Sequence, residues 1–195
     1  MTYILAKVYG QGVVLGKAKI QLRIRVAALM KIKWIAPFDV KNQVVDSIFT
    51  SVLTYCISLF GGMDVGHVND LQILQNQAAQ IVCGAPARTN RMYLFDRADW
   101  FTIRQLVVYH TLTMVFKIRW NKEPEYLSSM LTEDTRGQRI CRSDTRLNLA
   151  FKSFGFHVPQ FWNQLPLSIR TCDKISSFKG LLKEWIQKEI PRFVE

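Results

Sequence analysis

Apolar residues recur at three- and four-residue steps through most of this chain. That spacing commits it to helices, because only a period of about 3.6 residues returns such side chains to one stripe. From Asp39 onward, Val44, Val45, Ile48, Phe49, Val52, Leu53, Cys56, Leu59 and Phe60 keep the pattern as far as Gly61-Gly62, in a stripe wide enough to be buried nearly all round. Val68, Leu71, Leu74, Ala78, Ile81 and Val82 form an amphipathic helix, with Asn69, Gln72, Gln75, Asn76 and Gln80 mostly on its polar side and Gly84 and Pro86 as stops. After a turn bearing Arg88 and Arg91, Thr102 is placed to cap a helix that turns Ile103, Leu106, Val107, His110, Met114, Val115 and Ile118 inward. His110 on that stripe reads as a hydrogen-bonded core histidine. Pro124 can open a short helix through Tyr126, Leu127 and Met130. A last helix, capped by Asp173 or Ser176, keeps Phe178, Leu181, Leu182, Trp185, Ile186 and Ile190 on one face.

Two stretches fit less well. Residues 17–26 alternate polar and apolar without a break, which by periodicity fits a strand. A strand would collect Lys17, Lys19, Arg23 and Arg25 on one face, whereas a helix would spread them round its axis. The helix-compatible continuation from Ala27 to Trp34, ended by Pro37, favours helix. Leu147, Leu149 and Phe151, with Phe154 and Phe156 out of phase, leave room for one short β-hairpin in 147–157, followed by a turn containing a tryptophan. The expected fold is therefore mainly α, an irregular helical bundle of about five to seven helices with that hairpin as its only sheet. Its segments would be a basic N-terminal stretch over 1–38, a helical domain over 39–131, an Arg-rich loop over 132–148 and a C-terminal region over 149–195.

Charge narrows the function. Lys and Arg number 26 against 15 Asp and Glu, a net +11 with a pI near 9.7. Such a surplus attracts polyanions, since each neutralised phosphate releases condensed counterions. The surplus is uneven. Residues 1–38 hold Lys7, Lys17, Lys19, Arg23, Arg25, Lys31 and Lys33 and no acid, and Arg136, Arg139, Arg142 and Arg146 enclose only Asp144. Arginine at this density suits phosphate contacts and base stacking.

No pattern of catalytic residues accompanies that charge. Phosphoryl transfer on two metal ions needs paired carboxylates, and the chain has no Asp-Asp. Its adjacent acids, Glu133-Asp134, sit in the Arg-rich loop and read as a solvated loop end. No Gly-rich phosphate loop or serine elbow is present. Cys56, Cys83, Cys141 and Cys172 lie 27, 58 and 31 residues apart, too scattered for a zinc clamp, as are His67, His110 and His157. The cysteines are expected to be reduced, mostly core thiols, which implies a reducing compartment, nucleus or cytosol. Lys7 interrupts the apolar start and no cleavage site follows, so secretion is not expected. The apolar run 47–62 is shorter than the ~20 residues a bilayer span requires, so no membrane partner is expected.

Several segments in order resemble one family, the region after the palm in non-LTR (LINE-like, jockey-like and CR1-like) retrotransposon reverse transcriptases. Leu53-Thr54-Tyr55-Cys56-Ile57-Ser58-Leu59-Phe60-Gly61 is similar to the family's Leu-x-Tyr-Gly-x-x-x-Trp-Gly. Leu74-Gln75-Asn76-Gln77-Ala78-Ala79-Gln80-Ile81-Val82-Cys83-Gly84 resembles Leu-Gln-Asn-Lys-Ala-x-Arg-x-Ile-x-Gly. Arg88-Thr89, Trp100 to Leu106, Tyr109 to Leu112, Val115-Phe116-Lys117 and Pro124 to Leu127 follow in the family's order. The most diagnostic stretch, Phe161-Trp162-Asn163-Gln164-Leu165-Pro166-Leu167-Ser168-Ile169-Arg170, resembles Leu-Trp-Asn-Ser-Leu-Pro-x-x-Ile-Arg, with Ser177-Phe178-Lys179 and Leu182-Lys183 after it. The likeness spans about residues 20–190 and fades over 1–16, and neither the catalytic Asp-Asp nor the Cys/His knuckle of some members is present.

The resemblance implies a thumb and trailing C-terminal module, with 1–38 as what remains of the palm–thumb junction. Such a piece would bind RNA and RNA–DNA hybrid through phosphates and 2′-hydroxyls and pack on the palm and fingers of its parent polymerase. It would itself be no enzyme and hold no cofactor, Mg belonging to the full-length parent. The nucleic-acid-binding candidates are Lys17, Lys19, Arg23, Arg25, Lys31, Lys33, Arg88, Arg91, Arg136, Arg139, Arg142 and Arg146. Trp162 is expected as a core anchor, and Leu165 and Pro166 as a fixed turn. The alternative is a helical protein-interaction domain using surface that the palm would cover.

Overall fold

The computed structural model describes residues 2–55, 57, 65–121, 128, 131, 134, 139–141 and 154–190. These are mainly helical, as the apolar spacing requires, and no extended strand occurs among them. They fall into two compact units, Met1–Cys56 with Asp64–Arg104, and Ile57–Met63 with Gln105–Glu195. The division falls between Arg104 and Gln105, inside the segment that the sequence presents as one helical domain.

In the first unit, α1 (Thr2–Leu29) settles the ambiguity of residues 17–26 in favour of helix. Leu22, Val26 and Leu29 are buried at i, i+4 and i+7, while Ile20 and Ile24, which a strand would have placed on the same face, stay 58% and 59% exposed. A lone strand would leave its backbone N–H and C=O groups without a ladder, whereas a helix satisfies them within itself. A 3-10 turn, Met30–Ile32, ends this element.

Next come α2 (Phe38–Val45), a π-helical turn over Asp46–Thr50 and α3 (Ser51–Thr54). Val45, Phe49 and Leu53 are its buried apolar side chains, and Asp46, Ser47 and Ser51 face solvent, so this element is amphipathic and not buried all round. The serines and threonines that broke up the apolar run bond back to the preceding turn. Ser47 Oγ donates to Gln43 O at 2.8 Å, Ser51 Oγ to Ser47 O at 2.6 Å and Thr54 Oγ1 to Thr50 O at 2.8 Å. Where the helix widens, the Ile48 carbonyl accepts from the Arg25 guanidinium of α1.

The α4 helix (Val65–Val82) buries Leu71, Leu74, Ala78, Ala79, Ile81 and Val82 and packs on α1, α2 and α5. It ends as the Gly84-Pro86 pair predicts. Gly84 takes φ +59°, Ala85 N donates to Gln80 O at 2.9 Å and Gly84 N to Ile81 O at 3.1 Å, which satisfies the last carbonyls. The sequence reading overlooks α5 (Arg91–Ala98). Asn90 caps it by accepting from Met92 N at 2.8 Å, and it closes with the same pair of bonds around Asp99 at φ 51°. Phe95 and Trp100 meet edge-on across that closure at 6.4 Å.

The second unit takes α6 (Ile103–Asn121) from Gln105 onward, together with α7 (Phe154–Gln164), α8 (Leu167–Arg170) and α9 (Ile175–Glu189). Of the proposed hairpin, 147–153 lie outside the described residues, and 154–157 are helical, a correction to the sequence reading. Trp162 likewise sits inside α7 and not in a turn; Val158 and Trp162, one turn apart, drive that helix despite the backbone hydrogen bond that Pro159 removes. Pro166 starts α8 with Leu165 buried behind it, the fixed turn expected. Lys174, with no side-chain bond, precedes α9, so neither Asp173 nor Ser176 is its cap. The short helix expected after Pro124 lies almost wholly outside the described residues.

Aromatic rings fill this core. Phe178 of α9 stacks on Phe116 at 4.3 Å and faces Trp162 at 6.0 Å, Trp120 stacks on Phe116 at 4.5 Å, and the Arg119 guanidinium lies 4.9 Å from the Trp162 ring centre. Trp162 is fully buried, and its Nε1 has no acceptor among the described residues. Asn163 beside it exchanges two bonds with Ile140, accepting from Ile140 N at 3.1 Å and donating to Ile140 O at 3.0 Å. Truncating Trp162 to alanine should cost about 3–5 kcal/mol of unfolding free energy in urea titrations. Trp162→Phe, which keeps most of the packing and loses no hydrogen bond, should cost under about 1.5 kcal/mol. Equal losses would show that the indole N–H holds the core.

Candidate nucleic-acid interface

Helical periodicity decides where the N-terminal cations stand. Successive residues of α1 turn by about 100°, so Lys19 and Arg23 share one side of the buried stripe, Arg25 flanks the other, and Lys17 points away from it. The four do not make a single face.

Their partners differ as well. Lys19 Nζ binds Asp70 Oδ2 at 2.6 Å, and that ammonium, with His67 and Arg23 nearby, holds the Asp70 carboxyl below the ordinary carboxylate value. Arg25 is bonded to the Ile48 carbonyl. Lys17, Arg23 and Lys31 are exposed and form no ion pair with any described carboxylate.

Lys33 and Lys41 are a surprise. They are 8% and 6% exposed, and neither pairs with a described carboxylate. Lys41 Nζ donates to Lys33 O at 3.1 Å and stands against Gly84, where a Cβ would approach it to 3.3 Å. It thus faces the C-terminal end of α4, whose negative dipole end favours a cation. The Lys33 ammonium lies 4.6 Å from the centre of the Trp34 ring.

Arg88 is exposed in the turn after α4, and Arg91 is exposed as the first residue of α5. Of the Arg-rich loop, Arg136, Arg142 and Arg146 lie outside the described residues, and Arg139 is exposed. Asp134, read from sequence as a solvated loop end, accepts from Arg139 N at 3.2 Å, and its own amide donates to Arg139 O at 3.0 Å, so it closes that loop.

A cluster that the sequence reading did not single out lies in the second unit, between α6 and α9. Lys179 and Lys183, one turn apart on α9, act electrostatically on His110 and Tyr109 of α6 respectively, and Lys117 lies two turns beyond His110 on the same face. Lys117 and Lys179 are exposed. Burial first, then Lys179 and Lys117, pushes the His110 imidazole below its ordinary value of 6.5. Burial raises the Tyr109 hydroxyl, with Lys183 pulling the other way. The visible clue was the i, i+4 lysine pair, which Glu184 and Lys188 disguised as a mixed solvated face.

Cys83, Cys141 and Cys172 are free thiols, and burial raises Cys83. Among the described residues no three His, Cys, Asp or Glu side chains gather as a metal site would require, and no helix is long and apolar enough to cross a membrane. No family model matches the chain, and no curated protein or solved structure is significantly similar to it.

A pH dependence follows from His110. Its folded value lies below its unfolded one, so as pH falls the unfolded chain takes up the proton first. Stability should be unaffected by this group above its ordinary value of 6.5 and should erode as pH drops below it. Melting temperatures measured from pH 8 down to about 5 should fall less steeply for His110→Gln than for the unaltered protein. Parallel curves would mean the imidazole is protonated equally in both states.

Proposed function

We propose that the chain is a nucleic-acid-binding portion of the RNA-directed DNA polymerase of a non-LTR retrotransposon, and that it holds RNA or RNA–DNA hybrid chiefly by its phosphates. The sequence resemblance over about residues 20–190 suggests the family. One physical observation carries the binding: of the six described candidates before Pro37, only Lys19 is matched by a described carboxylate. Exposed Lys17, Arg23, Lys31 and Arg88 in the first unit, and Lys117 and Lys179 in the second, are available to phosphodiester oxygens. Because Lys17 and the Lys19–Arg23 pair stand on different sides of α1, the grip consists of several small patches and is sequence-tolerant. The polymerase aspartates and their Mg would belong to a palm outside this sequence, so this chain alone extends no primer.

Exposed apolar side chains favour a second reading, a protein-interaction domain. Ile20 and Ile24 lie one turn apart on the outer side of α1, and Tyr55 is exposed after α3. Salt separates the two. If about five phosphates are neutralised, log affinity for an RNA–DNA hybrid should fall with log salt at a slope of about −4 to −5. Absence of binding at low salt, together with self-association that salt leaves unchanged, would replace the first reading by the second.

A further inference from the structure

Resting on that reading, we infer that Trp34 is a stacking platform for an unpaired base, mounted on a turn whose exposed Lys31 takes an adjoining phosphate, so that this edge of the first unit binds single-stranded nucleic acid. Trp34 is 74% exposed, and its neighbour Ile35 is 84% exposed. Together they form an exposed apolar pair, and the indole keeps a large flat surface available for burial.

The turn that carries the ring is fixed by its backbone. Lys33 N donates to Met30 O at 3.3 Å, and Ile35 N and Ala36 N both donate to Ile32 O at 3.2 Å. Lys41 Nζ fastens the same turn through the Lys33 carbonyl. The Lys33 ammonium sits 4.6 Å from the ring centre although Lys33 is itself 8% exposed. A nearly buried cation against a three-quarters exposed ring occupies the face turned to the protein, which leaves the opposite face to solvent.

Charge identifies the occupant. Lys31 is exposed three residues before Trp34, Lys33 adjoins it, and the first acid in the sequence is Asp39. A flat apolar ring beside cations matches a base with its phosphate, because every base has a π-face and aromatic stacking tolerates any sequence. A protein partner fits less well, since it would have to bring carboxylates to a lysine-flanked tryptophan.

The test compares an oligothymidylate of about twelve nucleotides with an abasic strand of equal length and charge, titrated against the full chain by fluorescence polarisation. The unaltered protein should bind the base-bearing strand roughly tenfold more tightly. Trp34→Ala should abolish that preference, Trp34→Phe should keep most of it, and Lys31→Ala should weaken both strands alike. Circular dichroism of the exposed-site variants should match that of the unaltered protein.

Equal binding of the two strands by the unaltered protein, with the salt slope intact, overturns the platform and leaves phosphate binding standing. Failure to bind either strand or the hybrid overturns both. If Trp34→Ala instead shifts self-association in sedimentation without changing strand affinity, the surface serves a protein partner and the inference falls.

Discussion

An α-helix turns its side chains by about 100° per residue, so burying Leu22, Val26 and Leu29 decides where every cation of the first helix can stand. Three aliphatic side chains removed from water contribute several kcal/mol by the usual area relation, about 1.5–3 kcal/mol each. Exposed like charges cost far less to separate or crowd in salt water. The apolar stripe therefore wins, and the lysines and arginines take what positions remain: Lys19 and Arg23 beside α4, Arg25 against the π turn, Lys17 outward.

How much of this was legible in the sequence varies with the element. The α4 stripe is clean and the structure buries most of it; α9 buries Phe178, Leu182 and Ile186 but exposes Leu181, and α6 buries Val108, Leu112 and Phe116 beyond the stripe read for it. The α5 helix was hidden because only Leu94, Phe95 and Ala98 turn inward among charged neighbours; Asn90, a capping residue before eight helical positions, was the available sign. Alternating apolar residues and Pro159 disguised α7, since neither an out-of-phase phenylalanine pair nor a helical proline resembles a regular amphipath. Gly84 and Pro166 were read correctly because each acts through its own backbone.

The candidate interface was less legible for a different reason. Charge density along a chain says how many cations exist, and partners distant in sequence decide which remain available. Asp70 meets Lys19 across 51 positions, and Lys179 reaches His110 only because α9 packs beside α6. Lys41 reaches the end of α4 by the same kind of encounter, turning a residue of no evident interest into a buried cation that steadies the turn bearing Trp34.

The reciprocal amide pairing of Asn163 with Ile140 imitates one rung of a sheet between two stretches that never form one. It joins two positions 23 residues apart in sequence. That rung ties Ile140 to the helix whose neighbouring Trp162 is anchored in the core, so the position of Ile140 is inherited from that core.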